Sequence, residues 1–176
     1  MSKSDIEGKT ALVTGASKGI GKAISLSLAE LGIKVAVNYN SSEAQAEEVA
    51  KEIQDAGGES LVVQADVSNL EQVTAMVDKV NDAWGQVDIL VNNAGIISDG
   101  LLMRMSDEAW HRVIGVNLNG TFHCSRAVLR TMVRQRWGRI INIGSVVGIR
   151  GNMGQTNYSA SKAAILGFSK SLAKEV

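Results

Sequence analysis

The stretch TGASKGIG at residues 14–21 sets three glycines between an apolar run, ALVT (11–14), and a segment with helical spacing. Gly15, Gly19 and Gly21 form a G-x-x-x-G-x-G pattern. In a strand-to-helix turn each glycine serves a different end. Gly15 permits the tight turn, Gly19 lets backbone approach a pyrophosphate, and Gly21 lets the helix lie close on the sheet. The helix then offers phosphates its unpaired N–H groups and the positive end of its dipole. An ordinary βα turn can carry the same glycines, so the weight of the motif comes from its place between strand and helix.

Working outward, short β-branched runs recur at VAV (35–37), LVV (61–63), ILV (89–91) and IINI (140–143), each a candidate buried strand. Between them apolar residues fall at helical spacing, as in Ala23, Leu26, Leu28 and Leu31, or Val73, Met76, Val77 and Val80. Ser42 with Gln45 and Ser68 with Glu71 fit capping boxes, Ser106 fits an N-cap followed by two acids, and Gly32, Gly57 and Gly85 fall where helices end. Strand alternating with helix predicts one α/β domain over residues 1–176. With right-handed crossovers it becomes a Rossmann-like, doubly wound parallel sheet of order 3-2-1-4-5, five strands where the dinucleotide fold has six.

Eighteen Lys+Arg balance eighteen Asp+Glu, so no polyanionic partner such as nucleic acid is signalled. The single cysteine, Cys124, excludes an internal disulfide, and Cys124, His123 and His111 lack metal-ligand spacing, so no metal site is expected. The start, MSKSDIEGKT, has no apolar signal core, and no run approaches the ~18 apolar residues that span a bilayer. A cytoplasmic location is expected.

The end of the second strand bears on which nucleotide binds. An NAD site keeps an acid there for the ribose 2′-hydroxyl, about 20 residues beyond the glycines. VNYNSS (37–42) has none: Tyr39 takes the likely acid position, Asn40 and Ser41 follow, and Lys18 projects from the glycine turn. A neutral pocket with one cation suits a 2′-phosphate, hence NADP(H). A solvated loop lysine is the other reading of Lys18.

YSASK (158–162) puts Tyr158 and Lys162 four apart, on one helical face. A fixed ammonium beside a phenol favours the phenolate and fits Tyr158 for proton transfer near neutral pH. NIGS (142–145) ends the fifth strand, and the carboxyl ends of strands line the ligand crevice of this fold, so Ser145 can hold a substrate oxygen there. Taken alone, such a pair is more often two exposed helix residues.

In order along the chain, TGASKGIG, NNAG (92–95), Asn117 in VNLNG, Ser145 and YSASK resemble the short-chain dehydrogenase/reductases. VDILVNNAGI, LLMRMSDEAW, GRIINIGSVVG and GQTNYSASKA are most similar to the bacterial 3-oxoacyl-[acyl-carrier-protein] reductases of fatty-acid synthesis, and the likeness runs over essentially the whole chain. The resemblance implies an NADP-dependent oxidoreductase in which Tyr158 protonates the alkoxide, Ser145 orients the carbonyl, Lys162 binds the nicotinamide ribose, and Asn117 holds a water of the proton relay. It implies a cofactor site made of Gly15, Ser17, Lys18, Gly19, Ile20 and Gly21, of Asn40 and Ser41, of Asp66 and Val67 beside the adenine, and of Asn93, Ala94 and Gly95, joined by Tyr158 and Lys162. It also implies an acyl carrier protein or coenzyme A thioester as substrate, a homodimer or homotetramer built through helices near 107–135 and 156–176, and another short-chain reductase, acting on acetoacetyl-CoA, a sugar or an alcohol, as the alternative. Apolar Ala163, Ile165, Leu166 and Phe168 fit burial against a partner.

SRAVLRTMVRQRWGR (125–139) carries Arg126, Arg130 and Arg134 on one face, then Arg136 and Arg139, with no acid among them. Cations near a helix C-terminus suit its dipole; as a patch they would steer an acidic partner. The resemblance puts Arg136 where such reductases place a basic docking residue. They also continue with further strands, a Pro-Gly turn and a substrate lid, whereas this chain has no proline and ends in GFSKSLAKEV without a cap or stop. The expectation is a terminus inside a helix, an exposed fifth-strand edge and one active-site wall missing, with an inactive fragment that keeps nucleotide binding and oligomer contacts as the second reading.

Overall fold

The computed structural model describes residues 6–176; the first five, part of the stretch read as lacking a signal core, lie outside the described residues. Five parallel strands form one sheet in the order β3-β2-β1-β4-β5, as the sequence predicts. They are β1 (Thr10–Val13), β2 (Lys34–Tyr39), β3 (Ser60–Gln64), β4 (Ile89–Asn92) and β5 (Arg139–Asn142). The crossovers are α1 (Gly19–Glu30), α2 (Glu43–Asp55), α3 (Leu70–Trp84), and α4 (Asp107–Ile114), which runs through a π-helical turn (Gly115–Asn119) into α5 (Gly120–Gln135). After β5 come a short α6 (Val147–Arg150) and the long α7 (Thr156–Glu175). A 3-10 turn, Leu102–Arg104, precedes α4.

Each sheet face has its own core, which is why the central strands are apolar on both sides. Leu12, Ala36, Val63 and Leu90 meet α3 and α5 through Val73, Met76, Val80, Cys124 and Val128. On the other face Val13, Val35, Val37 and Val91 meet α2 through Val49 and Ile53, with Ile24 and Leu28 of α1 packed against them. The predicted α3 stripe is buried at all four positions. That of α1 is corrected: Ala23 and Leu31 are exposed, and the buried seats are Gly21 and Ser25, small residues that bring the helix down on the sheet. Ile165, expected against a partner, is buried within the chain itself, while Ala163 and Leu166 are exposed and Phe168 is half-buried.

Capping follows chemistry more than pattern. Ser106 accepts from Ala109 N as predicted, at 3.2 Å. Ser68 does not cap α3: Asn69 does, accepting from Gln72 N, because Ser68 is bonded to Asp66. Ser42 begins α2 without a side-chain cap bond. Gly32, Gly57 and Gly85 follow the helices with positive φ, as their positions require. Among the described residues no strand lies beside the outer edge of β5: Ile141 is 46% exposed, and a groove of about 770 Å³ lies between the ends of α5 and α7 along that edge. No helix among the described residues is long and apolar enough to cross a membrane.

Candidate active site

The sheet order reverses between β1 and β4, and their carboxyl ends open the crevice in which ligands bind in such folds. Gly15 and Gly19 have φ of +61° and +58°, conformations that favour glycine. A Cβ on Gly15 would lie 2.9 Å from Ala94 Cα, and one on Gly21 would collide with Gly15 O and with Asn93 Nδ2 at 2.5 Å. The turn therefore lies directly against the NNAG segment. Asn93 Nδ2 donates to Thr14 O (2.9 Å) and Gly15 O (3.0 Å), while Thr14 Oγ1 accepts from Asn93 N and Ala94 N, both at 3.0 Å. From the other side Asn38 Oδ1 accepts from Gly15 N (3.1 Å), and Asn38 Nδ2 reaches Val63 O and Ala65 O. Thr14 and Asn38 were not singled out in the sequence; a buried Asn inside the apolar run VAVNY was the available signal.

Lys18, Gly19 and Ile20 are exposed and Ser17 half-buried at the start of α1, whose first turn carries no acid, so the anion-favouring end is left unneutralised. Asn40 and Ser41 are exposed at the end of β2. Tyr39 does not face that rim: it is buried and donates to Glu43 Oε1 at 2.9 Å. Burial, then that carboxylate, push its phenol above the usual range, so Tyr39 is unsuited to proton transfer. Glu43 is a carboxylate near the rim that the sequence reading left out. At the end of β3, Asp66 Oδ1 accepts from Ser68 N (2.9 Å) and Ser68 Oγ (2.7 Å), and Val67 is buried beside it.

Ser145 stands just beyond β5, half-buried, its Oγ accepting from Val147 N at 3.2 Å. Tyr158 is half-buried in the first turn of α7, its hydroxyl bonded to no described residue. Lys162 is 4% exposed, donates to Ile143 O at 2.7 Å, and sits 5.8 Å from the Tyr158 ring centroid. Burial holds its ammonium below the ordinary lysine range, and it has no carboxylate partner among the described residues. A Cβ on Gly95 would be 3.4 Å from Asn117 Oδ1 and 3.7 Å from Lys162 Nζ, so these three converge. Gly148 lets α6 press on α7 at Lys162, where a Cβ would be 2.7 Å from Ala163 N.

Asn117 is fully buried in the π-helical turn. Its Oδ1 accepts from Ile96 N (2.8 Å) and its Nδ2 donates to Ile96 O and Ser161 Oγ, both at 3.1 Å. Both amide protons are committed, and its backbone carbonyl accepts from Thr121 Oγ1 at 2.8 Å. Ser161, inside YSASK, thus ties Asn117 to the helix of Tyr158. Arg136 is not part of this centre: it lies in the turn from α5 into β5, at the other end of that strand from Ser145.

The described residues hold no cluster of metal-ligating side chains. The glycine cradle, the acid-free start of α1 and the open crevice fit a dinucleotide. The short chain dehydrogenase family model matches residues 9–176. The chain is 52% identical over 168 residues to the 3-oxoacyl-[acyl-carrier-protein] reductase of Synechocystis sp., covering 96% of this chain and 68% of that protein. It is 51% identical to the reductases of that name from Staphylococcus aureus strain Mu50 and Staphylococcus epidermidis strain ATCC 12228, over 96% of this chain and 68% and 69% of theirs. The protein is therefore an oxidoreductase acting on a CH–OH/C=O group and belongs to the short-chain dehydrogenase family.

Proposed function

We propose that the protein reduces a 3-oxoacyl thioester to the 3-hydroxyacyl form in fatty-acid biosynthesis in the cytoplasm, with NADPH as reductant and Tyr158 as proton donor. The observation that carries the reading is a pair of hydroxyls, on Ser145 and Tyr158, whose protons no described residue accepts, beside a buried ammonium with no carboxylate. NADPH, when bound, supplies hydride to the keto carbon. Gly15, Ser17, Lys18, Gly19, Ile20 and Gly21 would hold its pyrophosphate, with Lys18, Asn40 and Ser41 at the 2′-phosphate, Asp66 and Val67 at the adenine, and Asn93 to Gly95 at the adenosine ribose. Ser145 donates to the keto oxygen and orients it, and Tyr158 delivers a proton as charge grows there. Lys162 favours negative charge at that place, because a cation in a low-dielectric site acts strongly on a neighbouring anion. It would also bind the nicotinamide ribose. Proton replacement runs through a water at the Asn117 carbonyl. For the carrier protein, the exposed Arg130, Arg134 and Arg136 offer an acidic surface a docking patch.

Self-association through α5 and α7 belongs to the same proposal. Phe122, Leu129, Phe168 and Leu172 line a shallow groove between them, and Phe168→Glu leaves a monomer in sedimentation if that face is the contact. The assay follows NADPH consumption with an acetoacetyl thioester. Turnover is expected, preferring NADPH to NADH and lost in Tyr158→Phe; equal turnover by Tyr158→Phe would overturn the assignment, and preference for NADH would overturn the cofactor. NADPH binding with no reduction of any ketone would instead establish a second reading, nucleotide binding without turnover.

A further inference from the structure

Helix α7 carries Tyr158, Ser161 and Lys162 in its first two turns, yet it packs chiefly on α6, α4 and the π-helical turn, outside the last strand. Its 20 residues span about 30 Å, and a helix of that length held near one end can pivot. The near end is held by Asn157 Nδ2 on Ser98 O (3.0 Å), by Ser161 on Asn117, and by Lys162 on Ile143 O. A second hold comes from a ladder of side chains that the mechanism does not use. Asn92 and Asn142 are register partners at the ends of β4 and β5. Asn92 Nδ2 donates to Asn142 Oδ1 (2.8 Å) and to Ser125 Oγ on α5 (3.1 Å). Asn142 Nδ2 donates to Ser169 Oγ (2.8 Å), which donates to Ile165 O (2.7 Å).

Ser169 follows Lys162 by two turns on the same face, and Asn142 precedes Ser145 by three residues. The ladder therefore joins the strand that delivers Ser145 to the helix that delivers Tyr158. Its backbone continues to the same point: Ile143 N donates to Asn92 O at 3.0 Å, and Ile143 O receives Lys162. Asn92 is 5% exposed, and a buried amide is costly unless bonded. Apolar side chains could fill this seam, but hydrogen bonds also fix direction, and small misplacements of reacting groups cost large factors in rate.

We propose that Asn92, Asn142 and Ser169 are positioning residues, which lock the rotation and tilt of α7 against β5 and so aim Tyr158 and Lys162 at the oxygen held by Ser145. The inference rests on the reading of Tyr158 as proton donor. Its test compares Ser169→Ala, Asn142→Ala and the hydroxyl-keeping Ser169→Thr with the parent chain, and Tyr158→Phe as control. The first two are expected to lower kcat roughly five- to twentyfold with KM within about twofold, as lost alignment does, while Ser169→Thr stays near the parent. A readout independent of turnover is the Lys162 titration, followed by NMR of 15N-lysine protein and assigned with Lys162→Met. In Ser169→Ala it should move up toward the ordinary lysine range as the ammonium gains water, and Ser169→Thr should restore it. A Ser169→Ala protein that melts earlier, yet keeps the parent's Lys162 titration and any kcat the parent has, would reduce the ladder to packing. Full turnover by Tyr158→Phe would instead defeat the proton-donor reading, while the Lys162 titration still judges the ladder.

Discussion

Arg136 has φ of 57° and ψ of 29°, the single non-glycine residue in left-handed backbone among the described residues. The position after a helix commonly takes glycine there, because a Cβ crowds the following carbonyl at a cost of roughly 1–2 kcal/mol. The side chain at this strained position is exposed at the end of the arginine stripe, where the proposed docking role would use it. Arg136→Gly is expected to raise the unfolding free energy by about 1 kcal/mol in urea titrations and to weaken binding of an acyl carrier protein severalfold. An unchanged urea midpoint would refute the strain argument; unchanged affinity would refute the docking role. The backbone strain could not be foreseen from RQRWGR, since Gly138, two residues on, looks the better helix stop. That glycine has another duty, because a Cβ there would lie 2.6 Å from Met132 Sδ.

Between β4 and β5 the sequence reads as one helical region near 107–135, and the structure divides it with a π-helical turn bracketed by Gly115 and Gly120. That irregularity turns Asn117 inward, and single π turns tend to occur at functional sites. The two glycines should behave oppositely. A Cβ on Gly115 meets only Ser68 Cβ at 3.7 Å, whereas one on Gly120 would fall 2.5 Å from Val67 Cγ2. Gly115→Ala should raise the thermal midpoint, worth about 0.5–1 kcal/mol of helix propensity. Gly120→Ala should lower stability by about 1–3 kcal/mol and loosen NADPH, since α5 is forced off the loop proposed to flank the adenine. Melting curves and cofactor titrations of the two variants check this, and a destabilised Gly115→Ala would mean the π turn itself needs glycine. The elements were legible because strand period, helix period and glycine stops agreed. What stayed hidden, the cap at Asn69, the missing cap bond at Ser42, the face of α1 and the π turn, depends on local packing and on which polar neighbour wins a side chain. Ser68 fits a capping box in sequence, yet Asp66 takes it.

At the scale of the molecule, two apolar layers back one parallel sheet, and each hides an occasional ionisable group whose charge the fold must suppress or tolerate. Cys124 lies fully buried in the layer beneath α3 and α5, and burial pushes its thiol from 9.0 up to about 12. Folded, the thiol stays neutral where the unfolded chain's thiol has ionised, so its contribution is complete below pH 9.0 and is lost as pH rises towards 12. Above pH 9.0 the loss approaches about 1.4 kcal/mol per pH unit. Lys162 has the opposite sign: burial lowers its pKa, the unfolded chain binds the extra proton, and stability rises between its folded value and the ordinary 10.5. Comparing the parent with Cys124→Ala cancels the Lys162 part, which both chains share. Near pH 7 the variant should be less stable by about 1 kcal/mol, the cost of a small void. By pH 10 that deficit should have shrunk by about 1.4 kcal/mol and vanished or reversed, because only the parent loses stability by thiolate formation on unfolding. Urea unfolding at the two pH values, with reductant present, measures the difference; a deficit that stays constant would show that water reaches the thiol inside the folded layer.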